Sequence, residues 1–368
     1  MRILLLAHAP SVHTRRWALG LAGRGHEVRL LSADGLVGTL PDPARLIGWR
    51  LPIPALRFAS ASGAVRQEVR SFLPDVTVAH FLPNYGFAAA LSGAKPMMLV
   101  GWGSDLLRNA DRTPFHRARA RYVLRRADLI HVDAANLMQA AVRHGADPAK
   151  VWARPWGIDL GAFAAGGAWS ARRASGGPLR ILWMRQLEPV YDPATFVRAL
   201  GALARKGVPF RATMAGTGPL ASSLEALASE AGIRDSISFA GWVEEAKLPE
   251  LYREHDVYVS VSRSDSTSQA LLEAMAAGLL PVVTDIAGNQ EWVRHRREGY
   301  LVPVSDPEAV AAAIAEAAGH PERVDPMVAA GRAAVTAKGN FADTLAETER
   351  RLGALAERWR EAPRGTIP

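Results

Sequence analysis

Short apolar runs alternate with helix-like stretches along the first half of the chain. The runs fall at residues 2–7, 27–32, 75–81, 96–102 and 128–133. A helical pattern near residues 14–24 separates the first two runs, and the glycines of GLAGRG end it as a C-cap. Apolar strands separated by helices are typical of a parallel sheet that is buried on both faces. The pattern therefore predicts a βαβ domain.

The second half of the chain repeats this arrangement. Its apolar runs fall at residues 180–185, 209–216, 236–241, 256–262 and 280–285. Helical patterns lie between these runs, for example at residues 193–206 and 268–277. The predicted fold class is α/β, with two doubly wound Rossmann-like domains.

Composition along the chain suggests where the domains meet. Residues 164–178 are rich in Gly, Ala and Ser and have no apolar period, which predicts a linker. We therefore expect an N-terminal domain over residues 1–163 and a C-terminal domain over residues 179–341. A proline-free helix is predicted at residues 342–360, and we expect the segment 342–368 to pack back toward the N-terminal domain.

The overall composition narrows the class of protein. A length of 368 residues suits two domains, and the absence of cysteine excludes disulfides, thiolate metal sites and a cysteine nucleophile. No apolar run approaches the roughly 18 residues that a membrane span needs. The N-terminal MRILLLAHAP resembles a buried strand more than a signal peptide. These features favour a cytoplasmic protein, either free or peripheral on the inner face of the membrane.

The formal net charge of +8 is concentrated in one segment. Residues 101–126 hold seven arginines against Asp105 and Asp111, a local charge of +5. The pattern predicts a helix with a basic face in this segment, and Arg108–Arg126 is the candidate surface for an anionic membrane. A solvated face and an anionic membrane surface are both open interpretations. No nucleic-acid-binding motif accompanies the charge, so we expect no nucleic-acid partner.

The loop after the first strand excludes one class of nucleotide enzyme. Dinucleotide-binding oxidoreductases need G-x-G-x-x-G at that position. This chain instead has HAPSVHTRRW there, and it has no Walker A lysine loop. A nicotinamide or flavin cofactor is therefore disfavoured.

The stretch from 256 to 292 contains the clearest candidate site. An apolar strand leads into the loop SRSDSTS, and the helix QALLEAMAAG follows. Backbone N–H groups at a helix start on the carboxyl edge of a parallel sheet suit a phosphate. The alternative is an ordinary N-cap made by Ser266, Thr267 or Ser268. Glu273 is embedded in an otherwise apolar helix, eight residues after Asp265, and a buried carboxylate there needs a partner such as ribose hydroxyls.

This stretch resembles the Glu-x7-Glu motif of glycosyltransferase family 4. Further resemblances occur in the family's order along nearly the whole chain: RRADLIHVDAANL, RPWGIDL, RILWMRQLEPV, MAGTGPL and FAGWV. The resemblance implies the GT-B fold, with two domains facing a central cleft. It also implies a retaining, metal-independent transfer of a sugar from a UDP- or GDP-sugar to a hydroxyl acceptor. A lipid-linked or cell-surface glycan precursor is such an acceptor, and no tightly bound cofactor is expected.

The same resemblance assigns roles to individual residues. Arg185 would contact the diphosphate, Asp265 would reach the transferred sugar, and Glu273 would hold the ribose. Val243 or its neighbours would meet the base through backbone groups. The remaining donor contacts would come from Gly216, Ser266, Thr267, Ser268 and Leu272. The acceptor or phosphate side would hold His13, Arg15, Arg16, Trp102 and Asp105, with His80 as a catalytic candidate.

The chain departs from the family pattern at three positions. Val190 occupies the place of a lysine that binds the diphosphate, and Arg15, Arg16 and Arg263 are the candidates to replace it. The family's H-G-x-D is W-G-S-D here, so Trp102 replaces a histidine that touches the sugar, and His80 is expected to fill the same space. Asp265 stands where the family has Glu, and its reach is shorter by one methylene.

Three alternatives remain beside this hypothesis. One is an enzyme of similar fold and other chemistry, such as a nucleotide-sugar 2-epimerase. Another is a transferase that glycosylates a small soluble metabolite. The third is a non-catalytic GT-B module, which the loss of the lysine makes conceivable.

Overall fold

The chain forms two compact units in the computed structural model, which describes residues 1–33, 54–164, 168–174 and 176–362. The N-terminal unit comprises Met1–Pro155 together with the C-terminal segment Ala342–Pro368. The C-terminal unit comprises Trp156–Phe341. Each unit is built on its own parallel sheet.

The N-terminal unit alternates strands and helices. Its elements before the crossing are β1 (Arg2–Leu6), α1 (Val12–Gly23), β2 (Glu27–Leu31), α2 (Pro54–Phe72), β3 (Val76–His80), α3 (Phe87–Ser92), β4 (Met97–Val100), α4 (Pro114–Arg126), β5 (Leu129–Val132), α5 (Ala135–Arg143) and β6 (Val151–Ala153). The described strands lie in the order β2-β1-β3-β4-β5-β6. Every described pair in this sheet is parallel. The strand order reverses between β1 and β3. Doubly wound sheets bind ligands at the carboxyl ends of the strands at such a reversal.

The C-terminal unit repeats the architecture. Its elements are α6 (Leu160–Phe163), α7 (Trp169–Arg173), β7 (Leu179–Met184), α8 (Pro193–Arg205), β8 (Phe210–Ala215), α9 (Ala221–Glu230), β9 (Ile237–Gly241), α10 (Leu248–Arg253), β10 (Val257–Ser260), α11 (Gln269–Ala276), β11 (Leu280–Thr284), α12 (Ala287–Gln290), β12 (Tyr300–Val302), α13 (Pro307–Gly319) and α14 (Pro321–Lys338). The described strands lie in the order β12-β11-β10-β7-β8-β9, and all described pairs are parallel. The order reverses between β7 and β10.

Apolar side chains on both faces of each sheet explain why these strands form. The strand β4 is completely buried, as expected for a central strand covered by helices on both sides. In the C-terminal unit, one face of the sheet packs Trp183, Phe196 and Leu200 into a single cluster. Helix α11 packs into a separate cluster with Leu182, and its Leu271 and Met275 are fully buried there.

The last helix, α15 (Phe341–Glu361), lies against the N-terminal unit. Within that unit Thr344 donates from its hydroxyl to the carbonyl of Pro155 at 2.8 Å and accepts from Arg154. Glu349 pairs with Arg24 on the turn after α1, and the guanidinium of Arg351 stacks on Trp152. These contacts join α15 to the N-terminal unit.

The structure corrects the expected linker. The helix α7 packs on α14, and Trp169 is buried and donates its indole N–H to the carbonyl of Asp256 at 2.8 Å. The 164–178 segment is therefore part of the C-terminal unit where it is described, although its composition resembles that of a linker. The chain instead crosses between the units after Pro155, eight residues before the expected boundary at 163, and again after Phe341.

The remaining differences from the expected elements are small. Strands β6 and β12 are three residues long each and were not expected, because so short a run carries no clear apolar period. Strand β10 ends at Ser260, two residues before the expected end. Over the described ranges, none of the helices combines the length and apolar character needed to span a bilayer.

Candidate nucleotide-sugar site

The candidate donor site lies at the carboxyl edge of the C-terminal sheet, where the strand order reverses. Strands β7 and β10 are neighbours there, with Val257 opposite Ile181. Arg185 directly follows β7, and the loop with Asp265 follows β10. The topology therefore brings together two residues that are 80 positions apart in sequence, and it does so at the switch point where open α/β sheets bind ligands.

Arg185 is the positive group of this site. Its guanidinium forms an ion pair with Asp265, and both side chains are mostly buried. The ring of Tyr191 lies under the guanidinium, with Cζ at 4.6 Å from the ring centroid. Stacking on one face and pairing at one edge fix the orientation of the arginine. An anionic ligand in this position would compete with Asp265 for the same donor groups.

Two glycines allow the neighbouring loop to approach Arg185 closely. Gly216 has φ +137°, and a Cβ there would lie 1.9 Å from the carbonyl oxygen of Arg185. A Cβ on Gly218 would similarly contact the backbone of Leu187 at 2.5 Å. The M-A-G-T-G turn after β8 is thus packed directly against the Arg185 loop, because no side chain separates them.

The loop 266–268 supplies small buried polar groups at the start of α11. Ser266, Thr267 and Ser268 are all buried, and the Ser268 hydroxyl accepts from the N–H of Leu271 at 3.3 Å. That contact is the N-cap that the sequence offered as the alternative to a phosphate site. Gly288 lies against this loop, since a Cβ there would be 2.1 Å from the carbonyl oxygen of Ser266.

Glu273 is a buried carboxylate on α11, with 8% of its surface exposed. The hydroxyl of Tyr252, from α10, donates to its Oε2 at 2.9 Å and also approaches the carbonyl of Ala270 at 3.2 Å. Burial, together with the neighbouring Glu273 charge, raises the pKa of Tyr252 well above its usual value, so the tyrosine stays a donor. The expected buried acid is therefore present and is oriented by a tyrosine.

A second ion pair lies beside Arg185. Asp192, in the left-handed region with φ +48°, accepts from Arg263 Nε at 3.0 Å and from the Ser305 hydroxyl at 2.9 Å. Burial alone would raise the pKa of Asp192, but these hydrogen bonds hold it below its usual value. The Arg263 N–H donates to the carbonyl of Val190 at 2.9 Å, which joins the two loops through their backbones.

Val243 and Leu272 are two further residues that were expected to contact the donor. Val243 is partly exposed in the turn after β9, beside the strongly exposed Trp242. Leu272 is fully buried in the core, and its N–H donates to the carbonyl of Ser268 inside the helix. Its backbone donor is therefore already used by α11 in this structure.

The candidate acceptor residues form an aromatic cluster at the switch point of the N-terminal sheet. His13 on α1 and His80 at the end of β3 both lie edge-on to the ring of Trp102. The ring centroids are 5.6 Å apart for His13 and Trp102 and 6.3 Å apart for His80 and Trp102. Burial lowers the pKa of His80 to about 3 and that of His13 to about 4, the latter with help from Arg16. Both imidazoles are therefore neutral near pH 7. Arg15 and Arg16 lie on the first turn of α1 and are partly buried.

Asp105 holds the loop of this cluster. Its Oδ2 accepts from the N–H of Leu82 at 2.8 Å and from that of Trp102 at 3.1 Å. Complete burial raises its pKa to about 7, although both hydrogen bonds and the charge of Arg119 oppose the rise. The buried Asp105 therefore holds the backbone at Leu82 and Trp102.

The basic helix α4 is only partly as expected. Phe115 is 58% exposed, whereas Leu124 is fully buried and belongs to the core. Tyr122 is partly buried and donates to the carbonyl of Ala90. Arg119 is buried and stacks on Phe115. The outward charge comes from arginines that remain exposed at positions 108, 112, 117, 121, 125 and 126.

Sequence reasoning missed three residues of the donor site. Tyr252, Tyr191 and Asp192 carry no motif of their own, and the contacts that matter are made across the fold. Val190 marks the position of the missing lysine in the sequence, but only the structure places its neighbour Tyr191 under Arg185. Over the described residues, no cluster of three or more His, Asp or Glu side chains is arranged to hold a metal ion.

Two family models match the chain. The model "Glycosyl transferases group 1" matches residues 170–334, and "Glycosyl transferase 4-like" matches residues 2–134. A D-inositol 3-phosphate glycosyltransferase of Streptomyces scabiei is 30% identical over 77% of this chain and 68% of its own length. WcaL of Salmonella typhimurium, named for glycosyl transfer in colanic acid biosynthesis, is 28% identical over 76% of this chain and 71% of its own length.

Solved structures show the same fold. Anabaena Alr3699/HepE in complex with UDP superposes with a TM-score of 0.78 at 15% identity, covering 96% of this chain and all of that one. The two Rossmann-like units therefore have the GT-B fold. The chain belongs to glycosyltransferase family 4. It is therefore a glycosyltransferase that uses a nucleotide-sugar donor, and the 2-epimerase alternative is not favoured.

Proposed function

We propose that the chain transfers a sugar from a UDP- or GDP-sugar to a hydroxyl acceptor with retention of anomeric configuration and without a metal ion. The observation that carries this proposal is the pairing of Arg185 with Asp265 beside the buried Glu273, all at the switch point of one sheet. Glu273, held by Tyr252, would accept from the ribose hydroxyls. Arg185 would bind the diphosphate, and Asp265, once released, would reach the sugar.

The transfer step follows from this arrangement. The bond between the anomeric carbon and the leaving phosphate oxygen breaks, and the acceptor oxygen bonds to the anomeric carbon on the same face. The acceptor proton passes to an oxygen of the leaving diphosphate. The negative charge that develops on the diphosphate is stabilised by the guanidinium of Arg185 and by N–H groups of the loop before α11. These groups take the place that a metal ion has in other transferases.

We further propose a glycan precursor on an anionic membrane as the acceptor. The exposed arginines of α4 and the exposed Phe115 supply the charge and the apolar contact that such a surface favours. The name of WcaL, a putative colanic acid biosynthesis glycosyltransferase, supports a glycan acceptor. We propose that His80 and Trp102, with Asp105 positioning Trp102, shape the acceptor side of the N-terminal unit.

A small soluble acceptor is the second candidate. The Streptomyces scabiei relative is named for transfer to D-inositol 3-phosphate, a phosphorylated polyol. In that case Arg15 and Arg16, on the first turn of α1, are the candidates to bind an acceptor phosphate. Binding to anionic vesicles separates the two candidates, because a soluble acceptor requires no membrane surface.

The experiment that tests the proposal is an NMR assay of transfer. The protein is incubated in excess EDTA with UDP- or GDP-sugars and with a polyprenyl-linked or polyol acceptor, and the product's anomeric signal is followed. We expect a product with the anomeric configuration of the donor. Inversion would overturn the retaining mechanism, and activity that EDTA abolishes and magnesium restores would overturn metal independence.

A further inference from the structure

An exposed guanidinium, that of Arg263, lies at the same sheet edge as the mostly buried Arg185. Arg263 follows β10 and Arg185 follows β7, and these two strands are paired neighbours. The N–H of Arg263 donates to the carbonyl of Val190, in the turn whose next residue, Tyr191, stacks under Arg185. The two arginines therefore belong to one continuous set of loop contacts within the C-terminal unit.

A buried anion orients Arg263. Asp192 is 5% exposed and contacts Nε of Arg263 at 3.0 Å, while the Ser305 hydroxyl holds the same carboxylate oxygen at 2.9 Å. The side chain of Arg263 is nevertheless 57% exposed. Across the described chain, Asp192 is its only ion-pair partner. A guanidinium held at Nε presents its Nη1 and Nη2 groups to solvent, in the fork geometry that binds phosphate oxygens.

The charges at this sheet edge indicate a role for Arg263 in binding an anion. Arg185 is the other guanidinium at this edge, and Asp265 already pairs with it. Position 190, where a cationic side chain would also reach this edge, is valine and is partly exposed. We infer that Arg263 binds the donor diphosphate together with Arg185, and that Asp192 is its positioning residue. This inference rests on the proposed function, since it assumes that the site binds a nucleotide diphosphate.

The test compares diphosphates with monophosphates by calorimetry. Affinities for UDP and UMP, and for GDP and GMP, are measured for the wild type and for Arg263→Gln. We expect the variant to lose about 10-fold or more in affinity for the diphosphate that the wild type binds, as removal of a charge-assisted contact does. Affinity for the matching monophosphate should change far less, so the ratio of the two affinities falls. An unchanged ratio would overturn the inference.

Matched variants separate ligand binding from damage to the fold. Arg205→Gln removes another exposed arginine of the same unit, paired with Glu308 on the surface, and it should leave both affinities unchanged. Asp192→Asn should lower the same diphosphate-to-monophosphate ratio, because it releases Arg263. A purely structural role for Asp192 would instead weaken both nucleotides alike, and that result would overturn its assignment as a positioning residue.

A rescue variant tests the position of the charge directly. In Val190→Lys combined with Arg263→Gln, the new ammonium starts from a residue whose carbonyl contacts the Arg263 backbone. We expect this double variant to regain most of the lost diphosphate affinity. Failure of rescue, with an intact circular dichroism spectrum, would count against a diphosphate contact at this place.

The outcomes also distinguish the inference from the proposed function. If the wild type binds neither UDP nor GDP, the proposed function and the inference both fall. If Arg185→Ala weakens diphosphate binding and Arg263→Gln does not, the proposed function stands and the inference is wrong.

Discussion

Arg185 is the residue on which the proposed chemistry depends most. Its guanidinium is fixed by Tyr191 and Asp265, so it is preorganised for a developing negative charge. We expect Arg185→Ala to lower turnover roughly 100-fold or more, as loss of an electrostatic stabiliser does. Arg185→Lys should also be poor, because an ammonium lacks the planar fork and the stacking surface. Steady-state kinetics of nucleotide release check this, and near wild-type turnover in either variant would contradict the role.

Asp105 gives a prediction about pH. Its pKa is raised to about 7 in the fold from an ordinary value of 3.8. Well below the ordinary pKa of 3.8 the carboxyl is protonated in both states, but as the pH rises through 3.8 toward 7 the unfolded chain ionises it first. Its contribution to stability is therefore lost across that window. Asp105→Asn keeps an acceptor oxygen and does not ionise, so it should gain stability relative to the wild type between pH 4 and pH 7.

Urea unfolding at several pH values measures this difference. The buried histidines act in the opposite direction, since their lowered pKa values make acid destabilising, but they are common to both proteins and cancel in the comparison. A difference in unfolding free energy that stays constant over pH 4 to 7 would show that Asp105 ionises normally in the fold.

At the scale of elements, the contact between α12 and the loop 265–266 determines the shape of the donor site. A Cβ on Gly288 would meet the carbonyl of Ser266 at 2.1 Å, and backbone atoms give way only at a cost of about 1 to 3 kcal/mol. We expect Gly288→Ala to displace the loop and weaken nucleotide binding about 10-fold. Gly319→Ala, where no atom lies within 4 Å of the new methyl, is the matched control. Equal affinities in the two variants would contradict this account of the loop.

The exposed face of α4 is the element that we propose meets the membrane. Arg117 and Arg121 are exposed, and each arginine near anionic lipid contributes about 1 kcal/mol. The double change of these residues to Glu should abolish flotation with phosphatidylglycerol vesicles at low salt. Arg119 is left unchanged because it is buried beside Asp105 and its loss would disturb the fold.

The control for this experiment carries the same charge change elsewhere. Arg205→Glu combined with Arg211→Glu alters two exposed arginines of the C-terminal unit and should retain vesicle binding. Donor affinity in the α4 variant should stay at the wild-type value. Absence of vesicle binding by the wild type at low salt would favour the soluble acceptor instead.

At the scale of the whole molecule, the two sheets and their main strands could be predicted from sequence. Central strands such as β4 are apolar throughout, so their period is unambiguous. The linker prediction at 164–178 was wrong where the segment is described, because a single buried residue, Trp169, anchors a stretch whose composition is otherwise that of a loop.

The site could be predicted only in part, and for a physical reason. Arg185, Asp265 and Glu273 each lie in a stretch that resembles a family motif, so the resemblance identifies them. Tyr252, the partner of Glu273, and Asp192, the partner of Arg263, are placed by the three-dimensional packing of α10 and of the turn before α8. Nothing in the local sequence around these two residues distinguishes a site partner from an ordinary core or cap residue.

The most direct test of the account is nucleotide-induced stabilisation in the presence of EDTA. At 100 times its Kd a ligand adds about 2.7 kcal/mol, which raises the Tm of a unit of this size by about 5 to 10 °C. We predict such a shift for UDP or GDP with the wild type, and a much smaller one with Glu273→Gln, which loses a charged acceptor for the ribose. The account would be contradicted if neither nucleotide raised the wild-type Tm, or if Glu273→Gln were stabilised as strongly as the wild type.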